Sequence, residues 1–358
     1  MSGARVVVAM SGGVDSAVAA ARCVDGGYDV IGISLRLARS GEGSCCSLDD
    51  FLDARAVADH LGFPHYVFDF TDVFERRVVE PFVAEYLAGR TPNPCALCNQ
   101  HVKFDLLWER ARELGATRLA TGHYARIATD PATGYPILRA ARDTAKDQSY
   151  FLFALGAAEL GRTLFPVGEL TKDEVRGEAR RLGLPVAGKP ESMEVCFVPR
   201  GDAGGFVASR VDADAIRPGP IVDDDGRVLA RHDGVHRFTV GQRRGLGVGG
   251  GPRRYVRAID AASGTVSVTD ARRLRARGLR ARDVTWSGGR PPTPGTAVGV
   301  RIRHRHPLVP ARITETSGTS TVVTFDGDGP LVTPGQAAVF YRHDVVLGGG
   351  WIVGELAA

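Results

Sequence analysis

A glycine-rich stretch near the N-terminus limits the folds that this chain can adopt. Residues 5–9, Arg-Val-Val-Val-Ala, are a short β-branched run that predicts a buried parallel strand. Gly12 and Gly13 follow, and glycines let the backbone turn tightly and approach a ligand closely. Asp15 or Ser16 is expected to cap a helix over 17–23. A strand, a glycine turn and a helix N-terminus together predict an anion site, because backbone N–H groups and the positive end of the helix dipole meet there.

The loop itself indicates which anion binds. It lacks the Gly-Lys-Ser or Gly-Lys-Thr ending of ordinary nucleotide triphosphatases, and the three-glycine dinucleotide fingerprint does not fit. Residues 11–16, Ser-Gly-Gly-Val-Asp-Ser, instead resemble the pyrophosphate loop of the ATP pyrophosphatases. The resemblance implies that the loop holds the β- and γ-phosphates of ATP, which splits into AMP and pyrophosphate as a substrate oxygen is adenylated. The alternative is a glycine turn without a ligand, against which the strand–helix context argues.

Length and composition set the outer limits. A chain of 358 residues should hold two or three domains and can bury a large core. No stretch is apolar for long enough to span a membrane, so no membrane partner is expected. The opening residues lead straight into the first predicted strand and leave no room for a signal or transit peptide. Six cysteines are too few for a secreted disulfide framework, which favours a cytoplasmic protein.

The first half of the chain alternates apolar strands with amphipathic helices. This alternation predicts an α/β fold with a doubly wound parallel sheet, in which a phosphate loop lies at the carboxyl end of a strand. Two pairs, Ser47 with Asp50 and Thr171 with Glu174, are spaced as helix-capping boxes. Further strands are predicted over 30–35, 65–70 and 119–121, and helices over 47–61, 71–87, 103–114 and 171–182.

After about residue 200 short alternating runs separated by Gly, Pro and Asp predict β-structure. We expect three domains: a catalytic domain over 1–202, a β-rich central domain over 203–278 and a C-terminal β-barrel over 279–358. The segment from Arg272 to Arg282 carries six arginines and is interpreted as a solvated linker rather than an RNA-binding patch. The predicted strands are 220–222, 227–229, 237–240, 255–259, 265–268, 297–303, 311–314, 321–325, 337–341 and 344–348.

Charge is distributed unevenly along the chain. Residues 1–200 hold 23 Lys and Arg against 26 Asp and Glu, whereas residues 201–358 hold 22 against 15. The C-terminal part is therefore the better candidate for a polyanion-binding surface.

The cysteines give a second signal. Cys23 falls within the helix after the loop and is predicted to be core. Cys95 and Cys98 form a Cys-x-x-Cys pair in what is predicted to be a rigid, proline-bounded turn over 91–99, and Cys196 lies far along the chain. Such a pair in a cytosolic protein has three main interpretations: a redox pair, metal ligands or a sulfur carrier. Buried inert thiols are the fourth possibility.

Several motifs then occur in a characteristic order and identify the chain as similar to the tRNA-specific 2-thiouridylase family of bacteria. They cover almost the whole sequence. Beside the loop they are Asn93-Pro94-x-x-x-Cys98-Asn99, residues 120–124 (Ala-Thr-Gly-His-Tyr), 146–152 (Lys-Asp-Gln-Ser-Tyr-Phe-Leu), Cys196-Phe197, 241–246 (Gly-Gln-Arg-Arg-Gly-Leu) and 332–337 (Val-Thr-Pro-Gly-Gln-Ala). The resemblance implies thiolation of the wobble uridine of the tRNAs for Lys, Glu and Gln, with the C-terminal barrel contacting the tRNA.

The resemblance also implies roles for individual residues. Cys98 would be the nucleophile and Cys196 the persulfide carrier. ATP would contact Ala9, Met10, Ser11, Gly12, Gly13, Val14, Asp15, Ser16, Leu35 and Gly122. The tRNA or its target base would contact Asn93, Pro94, Cys95, His123, Lys146, Asp147, Gln148, Arg303, His304 and Gln336.

Three positions depart from the family pattern. Cys95 stands where some members have Asp, and His304 stands where Tyr is common. Histidine can still stack on a base or hydrogen-bond to it, so that contact is weakened rather than lost. Leu35 stands where some members have Met, and this change keeps an apolar contact for adenine.

The implied chemistry needs ATP with Mg²⁺, a persulfide sulfur, and a cysteine desulfurase or sulfur-relay protein as donor. Two metal alternatives remain open. Cys95, Cys98 and Cys196 could hold an iron–sulfur cluster, or Cys45, Cys46, Cys95 and Cys98 could form a zinc site, since thiolates suit both. Two other functions also remain: a different pyrophosphate-loop enzyme, such as a small-molecule ligase, and an RNA-binding or metal-sensing protein with a degenerate loop.

Overall fold

The computed structural model describes residues 3–38, 47–191, 195–249 and 252–356. Its N-terminal region is built on a parallel sheet of five strands in the order β3-β2-β1-β4-β7. The order reverses direction at β1, so a crevice opens at the carboxyl ends of β1 and β4, where ligands bind in such sheets. The doubly wound parallel sheet predicted from the sequence is confirmed. The strands are β1 (Arg5–Ala9), β2 (Asp29–Arg36), β3 (His65–Asp69), β4 (Arg118–Thr121) and β7 (Thr163–Leu164).

Helices cover this sheet on both faces. Both predicted capping boxes are present: Ser47 with Asp50 at the start of α2, and Thr171 with Glu174 at the start of α8. The helices are α1 (Val14–Asp25), α2 (Leu48–Leu61), α3 (Thr71–Phe74), α4 (Glu80–Leu87), α5 (Pro94–Cys98), α6 (Leu107–Glu113), α7 (Ala157–Gly161), α8 (Lys172–Arg181) and α9 (Ala203–Ala208). Nowhere in the described part of the chain is a helix long and apolar enough to cross a membrane.

Two helical stretches differ from the prediction. Residues 71–87 are helical as expected, but a π-helical segment, Glu75–Val79, joins α3 to α4. The second helix begins nine residues before the predicted start at 103: it runs from Pro94 through a π segment, Asn99–Leu106, into α6. The Cys-x-x-Cys pair is therefore in a helical turn and not in an irregular proline-bounded turn. Proline fits there because the first helical residue needs no N–H donor.

The central region forms a four-stranded sheet in the order β10-β11-β8-β9. A small hydrophobic cluster around Ile221, Phe238 and Val266 fills its interior. The run 237–240 was predicted as a strand, but Val235–Arg237 is a 3₁₀ turn and the chain bends there. The strands are β8 (Gly219–Val222), β9 (Val228–His232), β10 (Tyr255–Asp260) and β11 (Thr265–Thr269).

The C-terminal region is the predicted closed barrel. Six strands follow the order β12-β15-β14-β13-β16-β17, and pairing of β12 with β17 closes the ring. A hairpin from the N-terminal region, formed by β5 and β6, extends this sheet. Its strand β6 pairs with β17 of the barrel, Leu138 with Val346 and Arg139 with Val345. The barrel strands are β12 (Arg275–Trp286), β13 (Ala297–Arg301), β14 (Val309–Ser317), β15 (Ser320–Pro330), β16 (Ala337–Arg342) and β17 (Val345–Glu355), and the hairpin strands are β5 (Ala125–Thr129) and β6 (Pro136–Ala140).

The linker expected from Arg272 to Arg282 is wrong, since most of it is strand β12. Arg275, Arg277, Arg280 and Arg282 point outward, while Leu279 and its neighbouring alanines fill the barrel core. Apolar side chains thus alternate with arginines, as in a half-buried strand. The predicted boundary between residues 278 and 279 falls inside this strand.

All three regions meet at one short segment, Thr91 to Pro92. The Gln336 side-chain amide donates to the Thr91 and Pro92 carbonyls at 3.0 and 3.2 Å. The Thr91 N–H donates to the Pro334 carbonyl at 2.9 Å, and the Thr91 hydroxyl donates to Thr239 of the central region at 3.1 Å. The segment leading into α5, and so to Cys95 and Cys98, is therefore held by the barrel and by the central region.

We expect Gly335→Ala to loosen this junction. Gly335 has φ +89°, and an added Cβ would lie 2.9 Å from the Thr91 carbonyl oxygen. Gly295→Ala is a matched control, because Gly295 also has φ +89° but has nothing within 4 Å of an added Cβ. Both variants bear the left-handed strain of about 1–2 kcal/mol. Only Gly335→Ala should lose further stability in denaturant unfolding and expose Cys98 to thiol reagents. Equal behaviour of the two variants would contradict this role of Gly335.

Candidate active site

The loop between β1 and α1 is shaped by its own serines. The Ser16 hydroxyl donates to the Gly13 carbonyl at 2.9 Å and accepts from the Ser11 N–H at 3.2 Å. Helix α1 begins at Val14, and Gly13 is its N-cap. The prediction that Asp15 or Ser16 caps a helix starting at 17 is therefore wrong, because both side chains already lie in the first helical turn. Their position leaves the N–H groups at the helix start directed at the crevice.

Two glycines let other segments approach the loop closely. Gly12 has φ +70°, and a Cβ there would lie 2.3 Å from the Asp50 carbonyl oxygen at the start of α2. A Cβ on Gly122, just after β4, would lie 2.7 Å from the Ser16 backbone nitrogen. Glycine is therefore required at both positions for steric reasons.

A cavity of about 240 Å³ opens beside the loop. Seven of the ten residues predicted to contact ATP line it, whereas the side chain of Val14 is buried in the core. The lining of the cavity combines apolar side chains such as Ile33 and Leu35 with polar side chains such as Ser11 and Asp15, which suits a nucleotide. The lining residues are Ala9, Met10, Ser11, Asp15, Ser16, Ile33, Leu35, Leu37, Asp50, Phe51, Lys103, Thr121, Gly122, His123 and Gln148.

His123 and Gln148 were predicted to contact tRNA, but they line the same cavity as the loop. The Gln148 side-chain oxygen accepts from the Tyr124 N–H at 2.9 Å. His123 Nδ1 lies 2.7 Å from the Thr121 hydroxyl. Burial and then the charge of Lys103 hold the pKa of His123 well below its usual range, so the ring is neutral at physiological pH. His123 and Gln148 therefore belong to the lining of the cavity beside the loop.

A chain of alternating charges runs from the loop to Lys146. Lys172 Nζ lies 2.7 and 2.9 Å from the two carboxylate oxygens of Asp15 and 2.9 Å from Glu191 Oε1. Lys146 Nζ lies 2.6 Å from Glu191 Oε2, and the Tyr124 hydroxyl donates to Asp15 at 2.8 Å. Partial burial raises the pKa of Glu191, but hydrogen bonds and the charges of Lys146 and Lys172 outweigh it and bring the pKa to about 2.

Lys172 and Glu191 were not identified from the sequence. Lys172 occupies the first position of α8 after a capping threonine, where a lysine is most simply a solvated residue. Only the fold, which brings α8 beside α1, shows that its side chain is buried against the loop.

The Cys98 side chain is buried at the end of α5, while Cys95 in the same helical turn is exposed. Asn93 caps the helix by accepting from the Ala96 N–H at 3.2 Å, so its side chain is buried in the structure rather than directed at solvent. Buried Pro94 is the first helical residue.

Cys196 lies in a turn whose next residue, Phe197, is firmly anchored. The Phe197 ring packs edge-on against Phe74, Phe82 and Phe206, with centroids 5.1–5.6 Å apart. Cys98 belongs to the same hydrophobic cluster, and Cys196 packs against it. The structure thus brings two cysteines that are distant in sequence to one core. Cys23 is buried as predicted, and desolvation raises the pKa of its thiol to about 12.

The remaining predicted tRNA residues divide into two groups. Arg303 is exposed, and the His304 ring contacts the Phe151 ring at an interplanar angle of 36°, with ring centroids 4.5 Å apart. Asp147 is buried, accepts from the Ser149 hydroxyl at 3.0 Å and pairs with Arg301 of the barrel at 2.8 Å. Its carboxylate joins two domains and does not face solvent. The Gln336 side chain also joins two regions, because its amide donates to the Thr91 and Pro92 carbonyls.

No three His, Cys, Asp or Glu side chains in the described ranges are grouped so that they could hold a metal ion. Within those ranges Cys95, Cys98 and Cys196 are not grouped as the three-thiolate set that an iron–sulfur cluster needs. The zinc alternative depends on Cys45 and Cys46, which lie outside the described residues.

Three family models match successive parts of the chain. Residues 4–200 match the tRNA methyl transferase HUP domain. Residues 205–270 match the tRNA methyl transferase PRC-barrel domain, and residues 276–352 the aminomethyltransferase beta-barrel domain. The matched segments follow the three regions of the structure.

Curated relatives match nearly the whole chain. The tRNA-specific 2-thiouridylase MnmA of Solibacter usitatus is 51% identical over 97% of this chain and 98% of its own. The protein of the same name from Sorangium cellulosum is 50% identical over 99% of this chain and 94% of its own. A solved 4-thiouridine synthetase–RNA complex with bound ATP covers 58% of this chain and 50% of its own at 17% identity, with a TM-score of 0.36. That likeness is too slight to support a conclusion about ligands.

We predict that Gly12→Ala abolishes nucleotide binding, because the new methyl group would collide with the backbone at the start of α2. Gly27→Ala, outside the cavity, is the matched control: Gly27 also has a positive φ, +78°, but nothing lies within 4 Å of its added Cβ. Calorimetric titration with an ATP analogue, together with circular dichroism to verify folding, would test this. Equal nucleotide affinity of the two variants would contradict the steric account.

Proposed function

Because the chain belongs to the tRNA-specific 2-thiouridylase family, we propose that it uses ATP to replace O2 of the wobble uridine with sulfur in the tRNAs for Lys, Glu and Gln. One observation carries this proposal. The cavity beside the loop is lined partly by residues of the hydrophobic cluster that contains Cys98 and packs against Cys196. A small-molecule ligase would have no use for that pair of cysteines.

The first step is adenylation of the uridine. O2 of uridine is a poor leaving group, and transfer of AMP to it makes it a good one while releasing pyrophosphate. The N–H groups at the start of α1 and the loop backbone would hold the departing phosphates. Mg²⁺ bound with the ATP would neutralise phosphate charge, and the Asp15 carboxylate, a hard oxygen ligand on the cavity wall, fits that ion.

The second step is sulfur transfer. The terminal sulfur of a persulfide on Cys196 attacks C2 of the activated uridine, and AMP leaves with the original O2. The Cys98 thiolate then attacks the Cys196 sulfur. This releases 2-thiouridine and leaves a Cys98–Cys196 disulfide, which two external thiol groups must reduce, forming a disulfide themselves, before the next turnover. A cysteine desulfurase or sulfur-relay protein would restore the persulfide.

The tRNA would bind across all three regions, with most of the non-specific attraction coming from the positively charged residues 201–358. Exposed Arg303 and His304, whose ring is tilted against Phe151, follow barrel strand β13 and would contribute to this surface. The target base would be flipped out of the anticodon loop to reach the cavity and Cys98. We place the adenylating activity in the N-terminal region and propose that the barrel contacts the tRNA.

The test is ATP turnover together with analysis of the product. With a transcript of one of the three tRNAs, the wild-type protein should form AMP and pyrophosphate, and, with a persulfide donor, mass spectrometry should detect 2-thiouridine at the wobble position. AMP formed equally well without tRNA would favour a small-molecule ligase, and no AMP under any condition would refute the proposed function.

Substitution of the cysteines should separate the two steps. Cys98→Ser and Cys196→Ser should each abolish thiolation but keep tRNA-dependent release of pyrophosphate, because adenylation needs neither thiol. Cys95→Ser should still thiolate, since Cys95 takes no part in the persulfide–disulfide route. Cys23→Ala is a control with a buried thiol outside the site. Loss of thiolation in Cys95→Ser would overturn this route in favour of a metal-dependent one, and metal analysis of anaerobically purified protein would identify the metal.

A further inference from the structure

Glu191 lies between two parts of the site that must act together. Its Oε1 binds Lys172, which holds Asp15 of the nucleotide loop, and its Oε2 binds Lys146, which is predicted to contact tRNA. Arg176 approaches the same carboxylate at 3.9 Å. Asp15, Lys172, Glu191 and Lys146 therefore alternate in charge in an unbroken line.

We propose that Glu191 is a positioning residue that couples tRNA binding to nucleotide binding. The proposal rests on the function proposed above. A tRNA phosphate that takes Lys146 removes one of the two lysines that Glu191 binds. The carboxylate then attracts Lys172 more strongly, and the hold of Lys172 on Asp15 weakens.

Within this row of charges, Asp15 is the residue closest to the proposed ATP site. Both of its carboxylate oxygens bind Lys172 Nζ in the described structure, and Asp15 also lines the cavity. A carboxylate committed to a lysine is a poor partner for the cation that accompanies a triphosphate. Weakening the Lys172 contact therefore favours nucleotide binding, so tRNA at one end of the line promotes ATP at the other.

Partial burial makes this arrangement effective. The Lys172 side chain is 9% exposed, and those of Asp15, Glu191 and Lys146 are 26–32% exposed. Charges screened this little by water interact more strongly than surface pairs. By linkage, the nucleotide must raise the affinity for tRNA by the same factor.

The experiment measures the dissociation constant of α,β-methylene ATP with Mg²⁺, which cannot be split to AMP, with and without saturating tRNA. In the wild-type protein tRNA should tighten nucleotide binding about 5-fold or more. In Glu191→Gln each ligand should still bind alone, but the ratio should fall close to one. Glu178→Gln is the control. Glu178 lies on the same helix as Lys172 but pairs with Arg22 of α1, so this variant should keep the wild-type ratio.

Lys146→Gln provides a second, directional test. It removes the partner that tRNA would take, so the nucleotide should bind more tightly even without tRNA, and tRNA should add little. A purely structural role of the ion pair would not tighten nucleotide binding.

The inference is overturned if Glu191→Gln keeps the wild-type ratio, if Lys146→Gln binds the nucleotide no more tightly than wild type, or if wild type shows no coupling. If any of these results is obtained while the wild-type protein still forms 2-thiouridine, the coupling through Glu191 is refuted but the proposed function stands. Absence of tRNA-dependent AMP would instead refute the proposed function.

Discussion

Hydrogen bonds from the barrel and the central region hold the Thr91–Pro92 segment, and the position of Cys98 depends on these bonds. Backbone groups outside regular structure need hydrogen-bond partners, and the barrel supplies them here through Gln336 and Pro334. The central region adds a bond between the side-chain hydroxyls of Thr239 and Thr91. The segment continues into a proline-started helix that carries Cys98 into the core. Neither the barrel nor the central region supplies a catalytic cysteine, yet both fix the backbone from which Cys98 projects. The Thr-Pro-Gly-Gln stretch thus supports the segment that leads to Cys98, although it lies more than 200 residues away in sequence.

Electrostatics joins the two halves of the proposed reaction. The nucleotide loop supplies an aspartate that is held by a buried lysine, and the chain that leads to Cys196 supplies the glutamate that shares this lysine. Two residues before Glu191, Lys189 binds Asp50 and Asp53 of α2. The segment 189–191 is therefore joined by ion pairs both to α2 and, through Lys172, to the loop.

The sequence predicted what depends on local pattern. The strand, glycines and helix of the loop follow from spacing, and so do the capping boxes. It failed where tertiary contacts decide the role of a residue. Asp147 belongs to a recognisable motif, but only the docked barrel shows that Arg301 occupies its carboxylate. Lys172 and Glu191 carry no local signal at all. The strand misread as a linker is a different case, because arginine dominates its composition and obscured the period-two alternation of buried Leu279 and the alanines beside it.

The fate of one oxygen tests the central claim, that ATP activates uridine O2 for displacement by sulfur. A tRNA transcript carrying ¹⁸O at O2 of its uridines would be thiolated with unlabelled ATP and a persulfide donor, and the released AMP would be analysed by mass spectrometry. If AMP leaves with the uridine oxygen, the phosphate of AMP should carry one ¹⁸O atom for each 2-thiouridine formed. AMP without label, in the presence of 2-thiouridine, would contradict it, because O2 would then have left by another route.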